Sequence, residues 1–282
     1  MNQPGSALAS LRRSRTWTIA RTDLRQLRQS RDFWIPLAVV ALLFFVILPA
    51  ILLLAITSVK DVRLINKLGD VIGTLPKSVR RHVQGGSPEA QASYALAVYL
   101  FAPLAMIVPL TVSSAVGANT IIGERERGSG EFLAHSPATE REIYMGKLVA
   151  SLAPGYLTAA AGFGLYSLVV NTIVGPKVGG WFFPTANWWL LMLWVVPPFI
   201  ALALAVILVI SARVSSAAAA QQASSLITLP LIIMAYGIAS GSLFRAQIVA
   251  GVIGALAWIA AAFALSQGSA YLTRERMLGL GG

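Results

Sequence analysis

Nine charged side chains fall in one short stretch, Asn119 to Lys147, which reads NTIIGERERGSGEFLAHSPATEREIYMGK. Glu124, Arg125, Glu126, Arg127 and Glu131 crowd its first half, and Glu140, Arg141, Glu142 and Lys147 its second. Closely interleaved signs of this kind suit charge-paired contact with a protein partner, which sets orientation more than it supplies reactivity. Catalysis asks for a nucleophile beside a base, or for paired carboxylates in a cleft, and neither pattern occurs. The chain has no cysteine, which excludes disulfides, thiolate nucleophiles, Cys-ligated zinc and iron–sulfur clusters. Its two histidines stand apart: His82 beside Arg80 and Arg81 is expected to be solvated, and His135 to be a polar loop residue with no ligand cluster around it. The plain alternative for the whole stretch is a solvated linker whose charges follow membrane topology.

The elements that position this stretch are apolar. The 282 residues are 56% hydrophobic and 12% charged, with a mean hydropathy of +0.72, too few charges to dress the surface of one soluble domain. The expected fold class is an all-α polytopic membrane protein of six transmembrane helices, at about 35–57, 91–117, 147–171, 188–210, 217–240 and 246–267. Each span suffices to cross a hydrocarbon core of about 30 Å. Pro49 predicts a kink in the first. In the fifth, Ser215, Ser216, Gln221, Gln222, Ser224 and Ser225 precede the apolar run Leu226 to Ala239, and such a polar start belongs near the interface or inside the protein rather than against lipid. A net charge of +11 fits basic ends facing the cytoplasm and anionic lipid, with no nucleic-acid partner.

With both termini cytoplasmic, the inner segments carry fourteen basic residues and the outer ones eight, a bias that favours this orientation. Residues 1–34 form a cytoplasmic arm with seven arginines, Arg21, Arg25, Arg28 and Arg31 among them. In the arm Trp17, Ala20, Leu24 and Leu27 recur at helical spacing, which predicts an amphipathic helix on the cytoplasmic leaflet; the alternative is a juxtamembrane tail without a stable helix. Residues 118–146 are then an inner loop, 268–282 an inner tail, and 58–90 an outer segment, either a short interfacial helix or a loop touching substrate or headgroups. The outer GPKVGGWFFP run, Gly175 to Pro184, and Trp188 and Trp189 after it are expected to rest at the interface as an aromatic belt. Small residues four apart, such as Ser113 with Gly117, Ala250 with Gly254 and Gly251 with Ala255, predict close helix packing.

Within the inner loop, Gly128 to Gly130 predicts a turn, Glu131 to His135 a short helix, and Thr139 with Glu142 a capping box for the next span. GERERGSGEFLAHSPATEREIYMGKL resembles the signature loop of the ABC-2 type transporter permease family. There an E-x-E-R-G-T-hydrophobic stretch is followed by an SP turn and an E-I-x-x-G-K entry to a helix; Ser129 stands here where threonine is more usual. RTDLRQLRQSRDFW before the first span and ARVSSAAAAQQASSLITLPL before the fifth fit the same family, so the likeness spreads over most of the chain.

The resemblance implies an ABC-2, type V exporter-like architecture: the membrane subunit of a bacterial exporter in the cytoplasmic membrane. Such a chain would bind no cofactor itself, with ATP and Mg on a partner ABC ATP-binding subunit. It would pair with a second permease copy or a homologous permease, among membrane lipid, and move an unidentified substrate. The chain's own residues agree with that division of labour, because Gly146 and Lys147 lack the preceding glycine and following hydroxyl of a phosphate-binding G-x-x-x-x-G-K-[ST] loop. The implied coupling element comprises Glu124, Glu126, Arg127, Gly128, Glu131, Phe132 and Leu133, supported by Arg21, Arg25, Arg28 and Arg31. Phe132 and Leu133 either insert into the ATPase or pack on this chain's own arm. Ser113, Ser114, Asn119, Gln221, Gln222, Ser225 and Thr228 are the expected translocation path, though the two glutamines equally suit bonds across helices. No ionisable residue lies within the span cores, which favours an amphipathic small molecule, drug or lipid-like cargo. Sodium or other ion export is the alternative, and an ATP-independent membrane scaffold a third reading.

Overall fold

The computed structural model describes residues 4–58, 63, 67, 70, 73, 80–102, 107–117, 135–211, 222 and 246–271, and all regular structure among them is helical. α1 is Pro4–Gln29 and is separated by Ser30 alone from α2, residues 31–57. α3 covers residues 88–100, α4 Ile107–Gly117, α5 Glu140–Ile173 and α6 Gly175–Val178. α7 covers residues 186–211 and α8 is Ala246–Tyr271. Among the described residues three helices are long and apolar enough to cross a membrane, Trp34–Thr57, Glu140–Ile173 and Ala186–Ile207, while Ile107–Gly117 and Gly251–Gln267 are shorter apolar helices. The expected span at 91–117 is in two pieces, α3 closing in a turn at Phe101 and Ala102 before α4. The expected fifth span, 217–240, lies outside the described residues except for Gln222, which is helical and exposed.

Prolines shape two of these helices, and a third carries the same kind of turn. Leu43–Ile47, Leu96–Leu100 and Leu191–Val195 are π-helical turns, closed by Leu48 N–H to Leu43 O, Phe101 N–H to Leu96 O and Val196 N–H to Leu191 O. Each turn precedes a proline in the sequence: Pro49, Pro103, and the pair Pro197 and Pro198. A proline in a helix collides with the carbonyl four residues before it and supplies no N–H. For Pro49, Pro197 and Pro198, which lie within helices, those carbonyls belong to Phe45, Leu193 and Trp194, all inside the widened turns. The perturbation expected at Pro49 is thus a local widening of a continuous helix.

α5 is the helix on which the others are seated, and glycines make the seats. A Cβ on Gly146 would come 2.8 Å from Ile19 Cγ2 of α1, one on Gly155 would fall on the Ser113 hydroxyl of α4, and one on Gly162 would fall on the Phe45 ring of α2. α7 and α8 meet in the same way, the Trp194 ring lying over Gly254 while its indole N–H donates to the Gly251 carbonyl at 3.0 Å. Of the small residues expected at close contacts, Gly117 against Leu204 and Gly254 against Trp194 serve contacts within the chain, while a Cβ on Gly164 or Gly251 would meet no neighbouring side chain. Their outer faces stay apolar and uncovered, with Ile35, Val39, Ile47 and Ile51 exposed on α2 and Val252, Leu256, Ile259 and Phe263 on α8, as hydrocarbon contact requires.

At the far end of α5 the aromatic residues depart from the expected belt. Trp181 and Trp189 are exposed, but Phe183 and Trp188 are buried in the core, packed with Phe163 and Tyr166. Asn171 causes this. Its amide oxygen accepts from the backbone N–H groups of Phe182 and Phe183, each at 3.0 Å, and its NH₂ donates to the Phe183 carbonyl, so the loop is folded back on α5. The cluster also closes the end of α3. Tyr166 O–H donates to the Ala97 carbonyl at 2.6 Å and the Trp188 indole N–H to the Val98 carbonyl at 2.8 Å. Helix ends buried away from water need such partners.

Candidate functional site

The described part of the charged stretch surrounds the first turns of α5. Thr139 accepts from the Glu142 N–H at 3.3 Å while the Glu142 carboxylate accepts from the Thr139 N–H at 2.8 Å, which is the capping box expected from the sequence. Glu140 and Glu142 lie in that first turn, where the exposed N–H groups favour negative charge. Lys147 is the last charge on the helix, and residues 148–173 carry none. At about 1.5 Å per residue that uncharged length is about 39 Å, enough to contain the hydrocarbon core. Lys147 therefore stands at the foot of an uncharged stretch long enough to cross a membrane.

α1 lies against this level. Successive residues turn by about 100° around a helix, so Thr16, Ile19, Ala20, Asp23 and Leu27 share one face, and it is this face that packs on α5. Ala20 is fully buried, Ile19 and the Thr16 carbonyl border Gly146, and Asp23 is buried with Lys147. The Lys147 ammonium lies 3.8 Å from Asp23 Oδ2. Arg15 adds a second tie, its guanidinium donating to the Pro137 carbonyl at 3.1 Å. Desolvation offsets most of the attraction in a buried ion pair, so the pair adds little net stability, while loss of one partner alone would strand a buried charge. Glycine at 146 is needed because any side chain there would push Ile19 away.

The stripe expected on the arm is thereby divided. Ala20 and Leu27 turn toward α5, while Trp17, one helical edge away, is 58% exposed. Arg21, Arg25, Arg28 and Arg31 are all exposed. Of the other residues singled out from the sequence, Ser113 and Ser114 are buried in α4, Ser113 against Gly155 of α5. Glu124, Glu126, Arg127, Gly128, Glu131, Phe132, Leu133, Asn119, Gln221, Ser225 and Thr228 lie outside the described residues. The Asp23–Lys147 pair was missed by sequence reasoning, although a trace of it was present: Asp23 is an acid at apolar-face spacing between Ala20 and Leu27 in an arm otherwise rich in arginine.

A bundle of long apolar helices, with a basic arm crossing the root of one of them, defines a multi-pass membrane protein. The chain belongs to the ABC-2 transporter family: the family model described as ABC-2 family transporter protein matches residues 17–251, from within α1 to within α8. Membrane components of this family are generally non-catalytic and work with ABC ATP-binding subunits. No curated protein matches the chain.

Proposed function

We propose that this chain is the permease subunit of a bacterial ABC exporter, in the cytoplasmic membrane with both termini inside. A separate subunit hydrolyses ATP, and two permeases, identical or homologous, enclose the path of an amphipathic small molecule, drug or lipid-like cargo. The observation that carries this reading is the docking of α1 on the root of α5 through Asp23 and Lys147 and through Ile19 and Gly146. Gly146 and Lys147 are the residues at which the 118–146 loop re-enters the membrane domain. An ATPase that grips Glu124, Glu126, Arg127, Gly128, Glu131, Phe132 and Leu133 would pull on a helix already joined to the arm, and a packed pair of helices transmits such displacement as one body. The uncharged spans suit cargo that carries its own apolar surface.

The test is ATP hydrolysis by the chain coexpressed with a candidate ATP-binding subunit in lipid nanodiscs, with amphipathic compounds and sodium added separately. Compound-stimulated hydrolysis that Glu126→Ala or Phe132→Ala reduces supports the reading. Stimulation by sodium alone would replace the cargo class, and absence of any complex across plausible partners would overturn the assembly.

A further inference from the structure

We propose that one edge of α1 is a binding site for anionic lipid, with Arg21 and Arg28 holding the headgroup phosphate and Trp17 and Leu24 inserted at the acyl boundary. The proposal rests on the arm lying at the inner membrane face, and it adds a specific ligand to that arm.

α1 has three faces. Thr16, Ile19, Ala20, Asp23 and Leu27 are committed to α5, while Thr18, Thr22, Arg25, Gln26 and Gln29 form an exposed polar face. Between them runs a strip of Trp17, Arg21, Leu24 and Arg28, spaced four, three and four residues apart, as one edge of a helix requires. Trp17, Arg21 and Arg28 are exposed and Leu24 is half-buried. Tryptophan and leucine alternating with arginine is the chemistry of a headgroup boundary, where the apolar bodies enter the bilayer and guanidiniums bind phosphate bidentately.

Two independent placements bring this strip to that boundary. The arm packs on α5 at Lys147, beyond which α5 is uncharged to its end. Its other end is tied by the single extended residue Ser30 to α2, whose first exposed apolar residues, Ile35 and Val39, follow at once. Charge selects the ligand. The acids of residues 1–34 are Asp23, which lies on the face toward α5, and Asp32, which lies beyond α1, so the strip contains two cations and no acid. An anionic leaflet attracts such a strip, and a zwitterionic one does so far less. The predicted consequence is that anionic lipid holds α1, and with it the root of α5, in the docked register.

The absence of cysteine allows a direct test. An environment-sensitive thiol fluorophore is placed at position 24 by Leu24→Cys or at position 26 by Gln26→Cys, and each full-length protein is reconstituted without ATPase. Nanodiscs of phosphatidylcholine are compared with nanodiscs in which phosphatidylglycerol replaces part of it. A blue shift at position 24 and not at 26 that depends on phosphatidylglycerol is expected. Arg21→Gln with Arg28→Gln should abolish it, Arg25→Gln should leave it, and added salt should weaken it. Soluble glycerophosphate should not reproduce it. Equal spectra in the two lipids overturn the proposal, as does equal loss in Arg25→Gln. A shift at position 24 that appears only when the ATPase is added would assign the strip to that protein instead. Circular dichroism and gel filtration identify any variant that fails to fold, and Arg21→Lys with Arg28→Lys, which keeps both charges, should restore much of the lipid-dependent shift. Because no step uses ATP, failure of the export reading leaves the outcome intact.

Discussion

The Lys147 ammonium, on a side chain 1% exposed, faces Asp23 Oδ2 at 3.8 Å and joins the amino-terminal arm to the first turns of the longest helix. The arm is thus part of the helical body. Arg15 and the exposed arginines beyond it are thereby held beside the first turns of α5.

Asp23→Ala should release the arm, because it removes a partner from a buried cation, a change that costs about 3 kcal/mol in comparable sites. Trypsin is the convenient probe: cleavage after Arg21, Arg25 and Arg28 should accelerate in the variant. Asp23→Leu with Lys147→Met should be cleaved more slowly than Asp23→Ala, since no buried charge is stranded.

Two neighbouring glycines of α5 should respond oppositely to alanine. At Gly162 the added methyl falls on the Phe45 ring, and overpacking of this kind costs about 1–3 kcal/mol. At Gly164 it meets nothing, and alanine should be neutral or stabilise the helix by up to about 1 kcal/mol. Thermal unfolding in detergent separates the two, and Phe45→Leu should recover part of the loss at Gly162.

Tyr166→Phe should destabilise the chain by about 1–3 kcal/mol, because the buried Ala97 carbonyl loses the hydroxyl that bonds it at 2.6 Å. Trp188→Phe should act similarly through Val98, with added loss of packing against Phe163 and Tyr166. Denaturant titrations of the single and double variants would expose their coupling, since both close the end of one helix.

Asn171→Ala should free the loop before α7. The amide protons of Phe182 and Phe183, now donated to the Asn171 side chain at 3.0 Å, should exchange faster, with little change along α8. Hydrogen exchange resolved by peptide mass would show it; unchanged protection at those two residues would contradict the clamp.

How much of this was legible depends on how local each cause is. The capping box at Thr139 and Glu142 is contained in four consecutive residues, and it stands as the spacing predicted. The membrane class follows from composition, and the inner loop carried the family resemblance that the match over residues 17–251 bears out. Asp23 and Lys147 meet only because α1 folds back across α5, so neither residue's neighbours foretell the other. Phe183 and Trp188 look like interface residues until Asn171 turns their loop inward. Prolines were ambiguous for a related reason. Pro49 and Pro154 sit in helices that continue through them, whereas α3 ends at Leu100, three residues before Pro103.

The three glycine seats along α5 also constrain something other than composition. Gly146, Gly155 and Gly162 receive three different helices at fixed heights and bearings on one rod. A single residue inserted between two of them would rotate every later seat by about 100° and raise it by about 1.5 Å. The arm would then stay with one half of the rod while α2 and the aromatic cluster followed the other. Homologous chains should therefore keep the count of residues between these seats, with insertions and deletions collecting beyond the two ends of the helix.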